Sequence, residues 1–105
     1  MARATASSDA FAAIAEGNRR LLLDVLRTGE QPVGELVGAT GLSYSLVSQH
    51  LHVLLDAGVV ERRPEGRQRI YRLDAEPLRV VHDWTAEYEI FWQDRIARLR
   101  RRLDR

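Results

Sequence analysis

The chain has 105 residues, enough for one compact domain and too few for two independent cores. With 45% hydrophobic and 30% charged residues it has the composition of a folded protein, and the lack of cysteine excludes disulfides, thiolate metal sites and cysteine nucleophiles. A net charge of +1 makes no case for a polyanionic partner, and no apolar run approaches the roughly 20 residues of a membrane helix.

Residues 1–7 are small and polar and are expected to form a flexible N-terminus, without the apolar stretch of a signal peptide, so the protein is expected in the cytoplasm with no membrane partner. From Ser8 or Asp9, either of which suits a cap, Phe11, Ile14 and Ala15 recur at helical spacing until Gly17. Asn18 is read as the cap of a second helix with an apolar stripe of Leu21, Leu22, Val25 and Leu26, closed by Thr28-Gly29. Gln31-Pro32-Val33 reads as an extended link, since proline disfavours helix at the residue before it. A short helix then buries Val33, Leu36 and Val37, and Thr40-Gly41-Leu42 makes a turn.

Ser43 caps a longer helix, SYSLVSQHLHVLLDAG, whose apolar Leu46, Val47, Leu51, Leu54 and Leu55 keep helical periodicity until Gly58. Beyond it, Val59–Arg62 and Arg69–Leu73 flank Pro64-Glu65-Gly66 and read as a hairpin. Residues 61–72 carry five arginines against two glutamates. Glu76-Pro77 opens a last helix running to about Leu103, with proline near its first turn.

Two helices joined by a glycine turn and followed by a basic hairpin make a winged helix-turn-helix. The reading helix spans about 43–57 and the wing about 61–72. With one face of that helix given to the core, Ser43, Tyr44, Ser45, Ser48, Gln49 and His52 are left facing outward as candidate DNA contacts. Gln49 can pair bidentately with adenine, serine can bond a base or a phosphate, and Tyr44 can meet a phosphate or a thymine methyl. Short uncharged polar side chains suit a face pressed against bases better than one serving solubility. Arg67 and Arg69, near the wing tip, are expected on phosphate or in the minor groove, with a weaker case for Arg62 and Arg63. His50 falls beside the apolar positions and reads as a packed histidine rather than a base reader. Arg19 and Arg20 fit either a phosphate contact or a structural ion pair.

The stretch TGLSYSLVSQHLHVLLDAGVVERRPEGRQRIYRL resembles the recognition region of the ArsR/SmtB family, and AIAEGNRRLLLDVLRTGEQPVGELVGATG resembles the family's first helices. The likeness covers roughly residues 8–103. It implies a homodimeric winged-helix repressor whose first and last helices pair the subunits, and which releases operator DNA when an inducer binds. The expected fold class is therefore mainly α with a small β-hairpin. Residues 8–105 form one winged helix-turn-helix domain in which the N- and C-terminal helices make the dimer interface. The partners expected are double-stranded DNA carrying a palindromic operator, a second copy of the chain, and an unidentified small-molecule inducer.

The last helix supports dimerisation by itself, since its apolar band is wider than one small core needs. Phe11, Leu78, Val81, Trp84, Tyr88, Phe91 and Trp92 are the candidate interface residues, the aromatic four having a small-molecule pocket as their alternative use. Metal sensing is not expected. Where metal-sensing relatives of the family carry cysteine ligands, this chain has Glu35-Leu36-Val37-Gly38-Ala39; at the family's second metal site it offers Asp74, Glu76, Glu87 and Ile90, without a histidine. His82-Asp83 reads as a surface pair. No cofactor is expected, and nothing marks a catalytic constellation. The rival reading is a winged-helix interaction module that does not bind DNA.

Overall fold

A computed structural model describes residues 6–104, with side chains from Asp9 onward; the loose segment expected over residues 1–7 lies largely outside the described residues. In chain order the elements are α1 (Ala6–Ile14), α2 (Gly17–Leu26), β1 (Gln31–Pro32), α3 (Val33–Thr40), α4 (Tyr44–Asp56), β2 (Val60–Glu65), β3 (Gln68–Leu73), a 3₁₀ turn (Glu76–Leu78), α5 (Arg79–Ala86) and α6 (Glu89–Leu103).

α1 takes in Ser8 and Asp9, which therefore do not cap it. The junction with α2 also departs from expectation. Glu16, not Asn18, is the N-cap of α2, its carboxylate accepting from the Asn18 N–H at 3.1 Å. Arg19 and Arg20 turn back onto the last carbonyls of α1: Arg19 donates to Ala13 at 2.7 Å and, at 3.2 Å, to Ala12, which also accepts from the Ala15 N–H, and Arg20 donates to Ile14 at 2.7 Å. The helix end is closed by cations from the next helix, a favourable placement at a negative dipole end. Both arginines thus tie the end of α1 to α2. On α2 the core takes Leu22, Leu23 and Leu26 while Leu21 is turned outward, one position away from the expected stripe.

The link at Gln31-Pro32 is a strand. Gln31 pairs with Tyr71 and Pro32 with Ile70, making a three-stranded antiparallel sheet of order β1-β3-β2 instead of a lone hairpin. Proline is tolerated there because β1 is an edge. α3 starts directly after Pro32 and stops at Gly41, whose φ of +73° is the left-handed conformation that frees its N–H for the Val37 carbonyl. Thr40 locks this turn, donating its hydroxyl to the Leu36 carbonyl at 2.7 Å and accepting from the Leu42 N–H at 3.3 Å.

α4 begins on the Ser43 cap, whose hydroxyl accepts from the Leu46 N–H at 3.1 Å. It ends in a Schellman motif, with the Val59 N–H on the Leu54 carbonyl at 3.1 Å and the Gly58 N–H on Leu55 at 3.0 Å. Leu54 and Val59, the apolar pair that accompanies this motif, are both fully buried. Around them lie Leu22, Leu36, Val47, Leu51 and Val60, a core gathered from α2, α3, α4 and β2. Leu46, expected inward, is 39% exposed.

The single last helix is in fact two. Between α5 and α6 the hydrogen bonding tightens to three-residue spacing, Tyr88 to Thr85 at 2.9 Å and Phe91 to Tyr88 at 3.0 Å. Neither glycine nor proline sits there. The Thr85 hydroxyl donates to the His82 carbonyl at 3.1 Å, a back-bond of the kind that bends helices. Every described residue of α6 is exposed, and the radius of gyration, 17.2 Å, exceeds the roughly 13 Å of a spherical domain this long.

Candidate nucleic-acid interface

On a helix with 3.6 residues per turn, Tyr44, Ser45, Ser48, Gln49 and His52 occupy one arc of roughly 140° on α4. All five are exposed, as is the capping Ser43. Opposite them, Val47, Leu51 and Leu54 fix the helix to the core, so the polar arc is presented on a rigid element.

The wing meets this arc. Glu65 pairs with Gln68, leaving Gly66 and Arg67 as a two-residue turn; Gly66 has φ +61° and Arg67 does not, the arrangement of a type II′ hairpin. Because strand side chains alternate, Arg69 and Tyr71 share the face of β3 turned toward α4. Tyr44 and Ser48 of α4, Arg67 and Arg69 of the wing, and Val33 and Gly34 of α3 line one cleft of about 480 Å³. Ser45, Gln49 and His52 lie on the same arc of α4 beyond its edge.

Charge in this region is sorted by pairing. Arg63 is held by Glu30 and, at 3.2 Å, by Glu65; these carboxylates, Glu30 foremost, raise its guanidinium pKa. Arg72 is paired with Glu61. Arg62, Arg67 and Arg69 are exposed and, among the described residues, have no carboxylate partner. The N-terminus of α3 adds to the positive potential, since its cap, Pro32, supplies no side chain to its first N–H groups. The contribution of Val33 and Gly34 was not legible in the sequence, where α3 reads only as support.

Two histidines separate. His52 stays exposed, its Nε2 3.5 Å from Asp56 Oδ2. His50 is turned inward, its side chain 13% exposed, with Nε2 3.3 Å from Glu16 Oε2 and Nδ1 3.4 Å from Arg19. Glu16 Oε2 itself is buried without a well-aligned hydrogen-bond donor. The Asn18 N–H, followed by the charges of His50 and Arg19, lowers the Glu16 pKa below its usual 4.5.

A second exposed feature lies on α5 and α6. Phe11 of α1 meets Trp84 edge-on at 5.6 Å, Trp84 meets Tyr88 at 5.2 Å, and Tyr88 meets Phe91 at 6.3 Å. This ladder is only half covered: Trp84 is 55% exposed and Phe91 72%. Leu78 and Val81 are partly buried, whereas Trp92 stands outside the ladder and leads to exposed Ile96, Leu99 and Leu103. Among the described residues no group of three or more histidine and acidic side chains converges as a metal site. Leu36, in the stretch Glu35–Ala39, is buried in the core.

Residues 16–62 match the model of the bacterial regulatory protein, arsR family. The chain is 39% identical over 83 residues to an HTH-type transcriptional regulator of Mycobacterium tuberculosis, a match spanning 79% of this chain and 75% of that protein. Its structure resembles the crystal structure of an ArsR family transcriptional regulator with TM-score 0.71 and 30% identity, over 89% of this chain and 97% of the other. It also resembles the solution structure of a homodimeric winged helix-turn-helix DNA-binding domain from Mycobacterium bovis, with TM-score 0.67 and 29% identity, over 84% and 83% of the two chains. With its winged helix-turn-helix and these likenesses, the chain belongs to the ArsR family of bacterial regulatory proteins.

Proposed function

We propose that this protein is a homodimeric transcriptional repressor that reads a palindromic operator with α4 and grips the flanking backbone with its wing. The observation that supports this most is the convergence of Tyr44 and Ser48 with the unpaired Arg67 and Arg69 around one cleft. A base-reading helix and two uncommitted guanidinium groups facing one another fit a duplex, the first in the major groove and the second on phosphate or in the minor groove. Gln49 and Ser45 read base edges, Ser43 and Tyr44 meet the backbone at the helix N-terminus, and His52 extends the contact along α4. An interaction module without DNA binding is not favoured by the family to which the chain belongs.

Dimerisation places two copies of α4 on the two half-sites, with Phe11, Leu78, Val81, Trp84, Tyr88, Phe91 and Trp92 at the contact. The half-covered aromatic ladder supports this, since burying such rings is favourable and a single chain leaves them wet. No described helix is long and apolar enough to cross a membrane. The inducer is a small molecule rather than a metal ion, given the absence of cysteine and the core role of Leu36.

Selection of bound duplexes from a random pool tests this reading. A recovered motif with two inverted half-sites about one helical turn apart is the expected result. Recovery of no common sequence would overturn the assignment of α4 as a base reader.

A further inference from the structure

We propose that the apolar cleft between α2, the end of β3 and the segment entering α5 binds a small organic anion with an apolar body, a medium-chain or aryl carboxylate, and that filling it weakens DNA binding. The first half stands on the cleft alone, and the second rests on the repressor reading above. The cleft measures about 470 Å³ and is walled by Ile14, Leu23 and Leu73 together with Leu78 and Val81, the two residues it shares with the proposed dimer contact. That volume lies within the range of small-molecule sites, and its walls are almost wholly aliphatic. It shares no residue with the cleft between α4 and the wing.

The rim defines the ligand's charge. Arg20, Asp24 and Arg27 follow one another along the edge of α2 at spacings of four and three residues, which places them on one face. Arg20 gives one nitrogen to the Ile14 carbonyl and keeps its charge. No ion pair joins Asp24 to either arginine, and Arg27 is exposed without a carboxylate partner among the described residues. On the opposite lip His82 lies 3.3 Å from Asp83. Among the residues that line the slot two guanidinium groups stand against one carboxylate, with Asp83 outside the lining and turned to His82, a rim that complements an amphiphilic anion. A neutral ligand gains only the slot, and a cation meets the arginines.

The position of the cleft supplies the coupling. Leu23 belongs to the core helix, Leu73 ends the wing strand, and Leu78 and Val81 lie on the segment that continues into the aromatic ladder. An occupant at this seam separates the wing root from α5 and so changes the spacing of the two reading helices in a dimer. Whatever affinity DNA loses when the ligand binds, the ligand loses when DNA binds.

Calorimetry on the full-length protein, without DNA, tests the site with decanoate below its micellar range and with decanol. One saturable site per chain is expected, with decanoate about three- to five-fold tighter than decanol, the effect of an exposed ion pair. Arg27→Glu should remove that preference, and Leu73→Trp should abolish binding by filling the slot, circular dichroism confirming that both variants are folded. No saturable heat, an unchanged preference in Arg27→Glu, or binding that arises only when dimers are diluted into monomers, as expected were a second copy to fill the cleft, would overturn the site. Fluorescence anisotropy on a bound duplex then tests the coupling: saturating decanoate should weaken DNA binding about tenfold, and unchanged affinity would overturn it. Because the calorimetry contains no DNA, decanoate binding by a protein that never binds duplex would sink the repressor reading while leaving the site intact.

Discussion

One oxygen of the Glu16 carboxylate holds the first turn of α2 through Asn18, and the other faces His50 on α4, so a single side chain ties the α1–α2 corner to the reading helix. Its lowered pKa carries a sign. A carboxylate that ionises more readily in the folded state stabilises the fold at pH values above its unfolded pKa, and that contribution fades as pH falls through the lower folded value. The acid limb of a stability–pH curve should therefore steepen below about the usual 4.5, and Glu16→Gln should flatten it. Identical acid limbs in urea titrations would show that the corner does not depend on this charge. Gln49 makes the opposite kind of contribution, since its exposed side chain holds nothing together. Gln49→Ala should cost about 1–3 kcal/mol of preference for the selected operator and leave binding to random duplex nearly unchanged. Equal loss on both duplexes would remove its base-reading role. His50 was legible as a packed residue from its place on the apolar side, but its partner was not, because Glu16 lies 34 positions away and only the folded corner brings them together.

Among the elements, α4 was the most legible, because both of its ends carry their own chemistry: a serine that accepts an orphan N–H and a glycine that adopts a positive φ. At Gly58, with φ +78° and Pro77 Cγ at 3.8 Å from the place a Cβ would take, Gly58→Ala should destabilise the fold by about 1–2 kcal/mol. A midpoint unchanged in thermal unfolding would contradict the left-handed cap. β1 was not legible as a strand, since two residues ending in proline show no alternation and acquire strand geometry only by pairing with β3. The break between α5 and α6 was hidden for a related reason. Apolar periodicity runs through it, and the back-bond from Thr85 leaves no glycine or proline mark in the sequence. In the wing, Arg62 and Arg63 carried a weaker case than Arg67 and Arg69, and nothing in the sequence separated Arg62 from Arg63 until the carboxylates were placed: Glu30, remote in sequence, pairs with Arg63.

At the scale of the whole molecule, α6 has no described residue in the core, yet it carries a continuous apolar seam through Trp92, Ile96, Leu99 and Leu103. Such a helix gains stability by packing on another surface, and in the proposed homodimer a second copy supplies one. Trp92→Glu should convert the dimer to monomers in sedimentation velocity, while an intact dimer would remove Trp92 from the interface. Loss of the dimer should also weaken operator binding far more than random-duplex binding, because two half-sites would no longer be held by one particle. The central claim is that α4 and the free arginines of the wing grip DNA together, and its most direct measurement is duplex affinity as a function of salt for the parent protein and Arg67→Ala. The parent should show a steep linear fall of log affinity with log salt, and Arg67→Ala should weaken binding on every sequence and reduce that slope by about one. A parent protein without salt-dependent affinity, or a slope unchanged by the substitution, would contradict it.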